Sequence, residues 1–431
     1  MKAIYPIIIL CLFLSVGNTN AQDADIRIAE LLNKGEWFQL EREYPMLKDD
    51  IQVTVLKGLS EALICFHFNQ PEEAIQKIDS LLTNHQAELG FDNLSEMVLI
   101  KSMIAGNQGR YGEAVDILEK FLNQITDFAE KKDFPKHLAH LYKYNVFPKI
   151  PESFIIRPES DIEIPIYIEE AGRGVHMFIP VTIQNKEYRF IFDTGAEYTL
   201  LSERMVNELN LTITHDSIDM TGVRKTVAKA TYIDQLFIGD IVFNHVPVFV
   251  IPQNEETDSV YQVDAVLGID FIKKVQEVQI YPDSRTIRFP HIQTFPPASG
   301  RNLMLRGNIL PCINLQSDNN DLFFIFDTGN VKTTLTKAYY DRNQQQTEIV
   351  GIKDTMRSGG IGGLVYSETF RLPRFPLKVG DSEIVLENIH VVTDNSEASE
   401  SGEDGNLGMD FITSFKKVII NLDKMFVAGE K

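Results

Sequence analysis

Two aspartates, Asp193 and Asp327, each close an apolar run and open the same tripeptide. Arg189-Phe190-Ile191-Phe192 leads into Asp193-Thr194-Gly195, and Leu322-Phe323-Phe324-Ile325-Phe326 leads into Asp327-Thr328-Gly329. Two carboxyls held about 3 Å apart cannot both ionise. They share one proton, their apparent pKa values split, and one residue type then supplies both a general base and a general acid. That pairing can activate water for hydrolysis with no covalent intermediate. By sequence alone either aspartate can be the base, because the titration belongs to the pair. Gly195 and Gly329 permit a tight turn after each strand and let two loops approach where a Cβ would collide.

A lone Asp-Thr-Gly is a weak signal, but here the surroundings repeat as well. Asp264-Ala265-Val266-Leu267-Gly268-Ile269-Asp270-Phe271-Ile272 follows the first copy, and Asp404-Gly405-Asn406-Leu407-Gly408-Met409-Asp410-Phe411-Ile412 follows the second. The offsets are 268 − 193 = 75 and 408 − 327 = 81 residues, with 327 − 193 = 134 between the aspartates. Phe237-Ile238-Gly239-Asp240-Ile241-Val242-Phe243 matches Lys378-Val379-Gly380-Asp381-Ser382-Glu383-Ile384-Val385, and Ile179-Pro180-Val181 matches Leu310-Pro311-Cys312. The pattern reads as an internal duplication into two lobes. Alternation over Val175 to Ile183 and Tyr188 to Phe192, joined by Gln184-Asn185-Lys186, predicts β-hairpins.

These motifs carry a family resemblance over about residues 165 to 431. Hydrophobic-hydrophobic-Asp-Thr-Gly, a glycine-rich flap and a later Leu-Gly resemble the retropepsin-like aspartyl proteases, in the bacterial form with two lobes in one chain. Ser358-Gly359-Gly360-Ile361-Gly362-Gly363-Leu364 looks like the flap of retroviral proteases. The resemblance implies that Asp193 and Asp327 are catalytic. It also implies that Thr194 and Thr328 bond across to the opposite loop, and that Leu267-Gly268 and Leu407-Gly408 support the two loops from beneath. Thr221 and Gly222 of Met220 to Lys225 in lobe one, with Gly360, Ile361 and Gly362 in lobe two, would be flap residues touching substrate. A peptide or protein substrate is implied, with no metal and no organic cofactor. Where the family has Ala or Ser after Asp-Thr-Gly, lobe one has Ala196 and lobe two has Asn330. Asn tolerates the turn, and an altered pKa or a degenerate second site both stay open. The two unequal flaps imply an asymmetric cleft.

Other candidates read as structural. Asp270 and Asp410 each precede a short Phe-Ile stretch and are expected as helix N-caps. The Gly359 to Gly363 run lacks the Lys-Ser/Thr and βαβ context of a phosphate loop. His137 and His140 lie three apart without a zinc motif, so a solvated or packed helix face is expected. Glu255-Glu256-Thr257-Asp258 and Glu397 to Asp404 read as solvated loops. The net charge of −20 argues against nucleic acid and anionic membrane surfaces as partners.

The expected architecture is multidomain, an α-helical repeat domain followed by two mainly-β lobes. Lys2, the apolar stretch Ile7 to Val16 and Thr19-Asn20-Ala21 predict a signal peptide over 1–21, hence a secreted or periplasmic protein. The apolar stretch is short for a membrane span. Residues 22–145 show i, i+3, i+4 apolar spacing. Three turn-like segments at Gly35, Asn69 and Gly109 recur with steps of 34 and 40 residues, measured at Leu40, Ala74 and Ala114. This resembles degenerate tetratricopeptide helical pairs, which would bind a protein partner, brace the rest of the chain or serve as a propeptide. A proline-marked linker is expected over 146–164, lobe one over 165–298 and lobe two over 299–431. Beyond the leader only Cys65 and Cys312 remain, which is no disulfide framework. The combined reading is a monomeric aspartic endopeptidase with its lobes paired within the chain. The alternatives are an inactive peptide-binding scaffold and pairing of each lobe with another chain.

Overall fold

The computed structural model describes residues 19–127, 129–147, 150–171, 174–221, 225–252, 263–360, 363–394 and 402–431. The chain divides into a helical unit, which takes in residues up to 148 together with 304–308, and a β-rich unit holding 149–303 and 309–431.

The helical unit contains α1 (Thr19–Lys34), α2 (Trp37–Leu47), α3 (Thr54–His67), α4 (Pro71–Asn84), α5 (Gln86–Asn107), α6 (Tyr111–Gln124) and α7 (Pro135–Tyr144). The first six form three helix–turn–helix pairs. Each pair turns on a left-handed residue, namely Gly35 (φ 69°), Asn69 (φ 54°) and Gly109 (φ 81°). The amide of the next residue in each turn reaches back five positions: Glu36 to Leu31, Gln70 to Cys65 and Arg110 to Ala105, at 3.1, 2.8 and 2.9 Å. This C-terminal cap satisfies a carbonyl that a helix end would otherwise orphan, which is why Gly or Asn recurs there. Leu40, Ala74 and Ala114, the apolar markers of the repeat, are all fully buried.

His137 is buried, with its Nε2 3.2 Å from the Ser95 hydroxyl and 3.0 Å from the Ser95 carbonyl, and it stacks on Phe121. Burial pushes His140 down to about 3. Both therefore belong to packing, and among the described residues no cluster of His, Cys, Asp or Glu could hold a metal. Met304–Asn308 clusters with the helices. Within that unit Leu305 is fully buried, its carbonyl lies 3.2 Å from His67 Nδ1, and Asn107 donates to the Gly307 carbonyl at 3.3 Å. No described helix is long and apolar enough to cross a membrane.

The β-rich unit opens with β1 (Phe154–Ile156) and β2 (Ile162–Pro165), so the segment expected as a linker contributes strands. β1 pairs with β9 of lobe one and β2 with β12, contacts that no local proline count could reveal. Lobe one continues with β3 (Tyr167–Ala171), β4 (Gly174–Ile183), β5 (Lys186–Phe192), β6 (Thr199–Ser202), α8 (Glu203–Glu208), β7 (His215–Thr221), β8 (Lys225–Ile238), β9 (Ile241–Ile251), β10 (Ala265–Leu267), α9 (Ile269–Val275), β11 (Glu277–Tyr281) and β12 (Thr286–Phe289). Lobe two has β13 (Leu303–Arg306), β14 (Leu310–Ser317), β15 (Asn320–Phe326), β16 (Thr334–Leu335), α10 (Lys337–Val350), β17 (Ile352–Gly360), β18 (Gly363–Val379), β19 (Ser382–Val392), β20 (Gly405–Leu407), α11 (Met409–Ile412), β21 (Lys417–Asn421) and β22 (Phe426–Glu430).

The strand order is β9-β6-β10-β5-β4-β8-β7 in lobe one and β19-β16-β20-β15-β14-β18-β17 in lobe two, so each strand of the second lies ten labels on from its counterpart in the first. In both lobes the strand leading into Asp-Thr-Gly runs parallel to the Leu-Gly strand, with Phe192 beside Leu267 and Phe326 beside Leu407. The expected hairpins are present. β4 and β5 turn on Gln184 and Asn185, both with positive φ, while β8–β9 and β18–β19 turn on Gly239 (φ 55°) and Gly380 (φ 58°). Positive φ at these turns matches the right-handed twist of the flanking strands. A separate sheet, β2-β12-β11-β21-β22, takes strands from both lobes through the β11–β21 pairing. Phe190, Phe192, Phe324 and Phe326 are wholly buried and anchor the two strands that end at the aspartates.

Candidate active site

Each aspartate sits where its strand stops, tied from behind by a main-chain hydrogen bond. The Asp193 N–H donates to the Leu267 carbonyl and that of Asp327 to the Leu407 carbonyl, both at 3.0 Å. Leu-Gly then continues beneath the loop, where Ile269 N–H donates to Ala196 and Met409 N–H to Asn330, each at 2.8 Å. Gly268 and Gly408 have no room for a side chain, since a Cβ would lie 2.8 Å from the Ala196 and Asn330 carbonyl oxygens. That contact is below any ordinary van der Waals separation and makes glycine obligatory there.

The two loops meet through their threonines. Thr194 Oγ1 donates to the Phe326 carbonyl at 2.6 Å and accepts from the Thr328 N–H at 3.0 Å. Thr328 Oγ1 donates to the Phe192 carbonyl at 2.8 Å and accepts from the Thr194 N–H at 3.0 Å. These four bonds are buried and link the ends of the two strands. They bring the carboxyls face to face: a Cβ on Gly195 would lie 2.5 Å from Asp327 Oδ1, and one on Gly329 would lie 2.5 Å from the Asp193 carboxyl carbon.

Both aspartates are half-buried residues, hydrogen-bonded to each other. Burial raises the pKa of each, and the neighbouring Asp193 charge raises that of Asp327 further, well above the usual carboxylate range. The pair therefore retains one proton that its two carboxyls share. Fixed donors face both carboxyls, with Asp327 accepting from the Gly329 N–H at 3.0 Å and from the Asn330 side-chain amide at 2.9 Å. Asp193 Oδ1 accepts from the Gly195 and Ala196 N–H groups at 2.8 and 3.2 Å, and hydrogen bonds to the charged form favour it. A carboxylate beside a carboxylic acid, joined by a hydrogen bond, is a paired base and acid.

Residues 179–274 match a family model, the gag-polyprotein putative aspartyl protease. The matched segment runs from the approach strand β4 through Asp193-Thr194-Gly195 to the Leu267-Gly268 helix. A comparison with the curated proteins finds no match. Among solved structures, the retropepsin-like aspartic protease from Rickettsia conorii is similar at 18% identity over 32% of this chain and 91% of that one, with a TM-score of 0.21. The aspartic proteinase from Irpex lacteus is similar at 11% identity, covering 63% and 98%, with a TM-score of 0.40. Conglutin gamma, a basic 7S globulin from lupine seeds, is similar at 9% identity, covering 62% and 94%, with a TM-score of 0.38.

The flap candidates are hairpins. β7 and β8 pair up to Thr221 opposite Lys225, and β17 and β18 up to Gly360 opposite Gly363. Gly222, Ile361 and Gly362 lie outside the described residues, as does the acidic stretch 255–258. Asp270 and Asp410 are not N-caps, because Gly268 and Gly408 hold those positions. Their carboxyls instead reach the threonine six residues after each catalytic-candidate aspartate. Thr199 Oγ1 lies 3.3 Å from Asp270 Oδ1, and Thr333 donates both N–H and Oγ1 to Asp410 Oδ1 at 2.8 Å. Asp-Thr-Gly-x-x-x-Thr occurs in both copies, so this support was available in the sequence and overlooked. Glu403 and Asp404 are buried rather than part of a solvated loop. Asp404 pairs with Arg342 and accepts from the Phe323 N–H at 2.8 Å, as Asp264 pairs with Arg204 in lobe one. Local composition cannot separate an acidic loop from an acidic anchor when the partner arginine lies 62 residues away. Cys65 and Cys312 are not joined in a disulfide.

Proposed function

We propose that this protein is an aspartic endopeptidase whose single site is the intrachain pair Asp193 and Asp327. The observation that carries the reading is the reciprocal Thr194–Thr328 hydrogen bonding, which holds two carboxyls that share a proton against each other. Asp193, the carboxylate, takes a proton from water as its oxygen adds to the peptide carbonyl carbon. Asp327 gives its proton to the departing nitrogen as the C–N bond breaks, and the proton that Asp193 took from water then passes to Asp327, so one water is consumed, acid and amine are formed and the pair is restored. The hairpin ends at Thr221 and Gly360 are the proposed substrate-covering elements. The inactive-scaffold reading rested on Asn330, and that residue donates to Asp327 at 2.9 Å, which favours a maintained site. We further propose that the two lobes are a duplication, supported by their shared strand order, and that the helical pairs are tetratricopeptide-like, supported by the capped turns at Gly35, Asn69 and Gly109. We also propose that residues 1–21 are a leader and that the protein is exported, a reading supported by the apolar stretch Ile7 to Val16 and Thr19-Asn20-Ala21.

The test compares wild type with Asp193→Asn and Asp327→Asn on an unbiased peptide library from acidic to neutral pH, with mass by light scattering. A monomeric wild type that cleaves, and loss by at least a hundredfold in both variants, is expected. Activity surviving Asp327→Asn sinks the intrachain pair.

A further inference from the structure

We propose that the helical unit is a peptide-recognition site for a β-turn, and that its ligand is the chain's own turn Leu305-Arg306-Gly307-Asn308. The occupant of the helical pairs is then a named segment of the same chain, and this holds whether or not the paired aspartates cleave peptides.

Met304–Asn308 falls within the helical unit, although residues 303 and 309 on either side belong to the β-rich one. The segment ends in a tight turn, where the Asn308 N–H donates to the Leu305 carbonyl at 3.4 Å. Gly307 and Asn308 have φ of 61° and 60°, a left-handed backbone at two successive residues that glycine and asparagine tolerate best. Turns ordinarily lie at the surface, where water satisfies their main-chain groups. Here Met304 and Asn308 are only 2% exposed and Leu305 is fully enclosed.

The helices meet this turn through one recurring position. Each helix–turn–helix pair carries a polar side chain two residues before its left-handed turn: Asn33 before Gly35, His67 before Asn69 and Asn107 before Gly109. His67, at the end of α3, has Nδ1 3.2 Å from the Leu305 carbonyl oxygen. Asn107, at the end of α5, donates Nδ2 to the Gly307 and Asn308 carbonyls at 3.3 and 3.4 Å. Burial pushes His67 down to about 4, so the ring is neutral, and facing a carbonyl it carries its hydrogen on Nδ1. The ring also stacks on Trp37, centroids 4.3 Å apart, which fixes its plane. All three contacts go to main-chain oxygens, while one apolar side chain, that of Leu305, is enclosed. Main-chain hydrogen bonds that supply affinity, with a pocket for a chosen side chain that supplies selectivity, are the physics of peptide recognition. Asn33, at the same position of the first pair, is exposed, so a change there alters a helix end without touching the turn.

The experiment uses the full chain and reads the fluorescence of its single tryptophan, Trp37. Leu305→Asp expels the turn by placing a charge where leucine is enclosed, and leaves His67 and Asn107 unaltered. A backbone-cyclised peptide carrying Leu-Arg-Gly-Asn is titrated into wild type and into Leu305→Asp. Binding to Leu305→Asp is expected to be at least about tenfold tighter than to wild type, where the tethered turn competes at an effective concentration of about millimolar. Adding Asn107→Ala, or replacing the peptide's leucine with aspartate, is expected to abolish it. Should Leu305→Asp fail to fold, trypsin cleavage after Arg306, read by mass spectrometry, reports opening of the seat in chains that keep Leu305. There His67→Phe keeps a ring against Trp37 but orphans a buried carbonyl, and cleavage rises about five- to a hundredfold. Asn107→Ala raises it about two- to tenfold, and Asn33→Ala leaves it unchanged. Equal affinity of the peptide for wild type and Leu305→Asp would mean that the site is open to an external ligand, and overturns the proposal. So does a folded Leu305→Asp that binds no peptide, or cleavage within about twofold of Asn33→Ala in both His67→Phe and Asn107→Ala.

Discussion

Replacing Thr194 with valine keeps the shape of the side chain and deletes its hydroxyl. That hydroxyl donates to the Phe326 carbonyl at 2.6 Å and accepts from the Thr328 N–H at 3.0 Å, and all three residues are essentially inaccessible to water. The substitution therefore orphans one buried carbonyl and one buried amide, each at about 1–3 kcal/mol. The added methyl returns about 0.8 kcal/mol of apolar burial. The net loss is about 1–5 kcal/mol, and at 1.4 kcal/mol per factor of ten this is about five- to several-thousandfold in local opening. Amide hydrogen exchange over the Asp327–Thr328–Gly329 segment reads this directly, with urea unfolding as the global check. Protection is expected to fall by that factor in Thr194→Val and to stay near wild type in Thr194→Ser. Because both threonines serve one network, Thr194→Val with Thr328→Val is expected to lose less than the sum of the singles. Protection within about threefold of wild type in Thr194→Val would refute the claim that these bonds hold the carboxyls together.

Two further outcomes follow from the same geometry. Burial pushes Asp270 up to about 6 from a model-compound value of 3.8, so between those pH values the folded chain holds a proton that the unfolded chain has released. Stability contributed by this group is complete below the unfolded pKa and is lost as pH rises through the folded one. The unfolding free energy from urea titration, wild type minus Asp270→Asn, is expected to fall from pH 4 to pH 6, by at most about 3 kcal/mol; a flat difference contradicts the assignment. Exported protein is expected to begin at Gln22, which an intact mass of the mature chain checks, and a secreted chain retaining Met1 overturns it.

The parts of the fold legible from sequence were those whose cause is local. Phe190 to Phe192 and Leu322 to Phe326 had to be strands ending at a turn, and Gly239 and Gly380 sit where hairpins need positive φ. The three helical turns were visible because a left-handed cap restricts residue type to Gly or Asn, at Gly35, Asn69 and Gly109. What escaped was set by partners distant in sequence. Asp270 and Asp410 have the composition of caps, yet their carboxyls serve Thr199 and Thr333. β1 and β2 lie in a proline-rich stretch and are strands only because β9 and β12 are there to pair with them. Asn330 reads as a blemish in a motif until its side-chain amide is seen donating to Asp327 at 2.9 Å.

The shared strand order of the two lobes carries a consequence for how the site can vary. A site built from two copies of one short chain must change both halves at once, and it dissolves on dilution as the copies separate. Here both halves lie on a single chain, with β11 paired to β21 and Thr194 to Thr328 within it. Assembly is then independent of concentration, and each half is free to hold a residue the other lacks. Ala196 beside Asp193 and Asn330 beside Asp327 are two independent choices, possible only because the same molecule is never asked to be both.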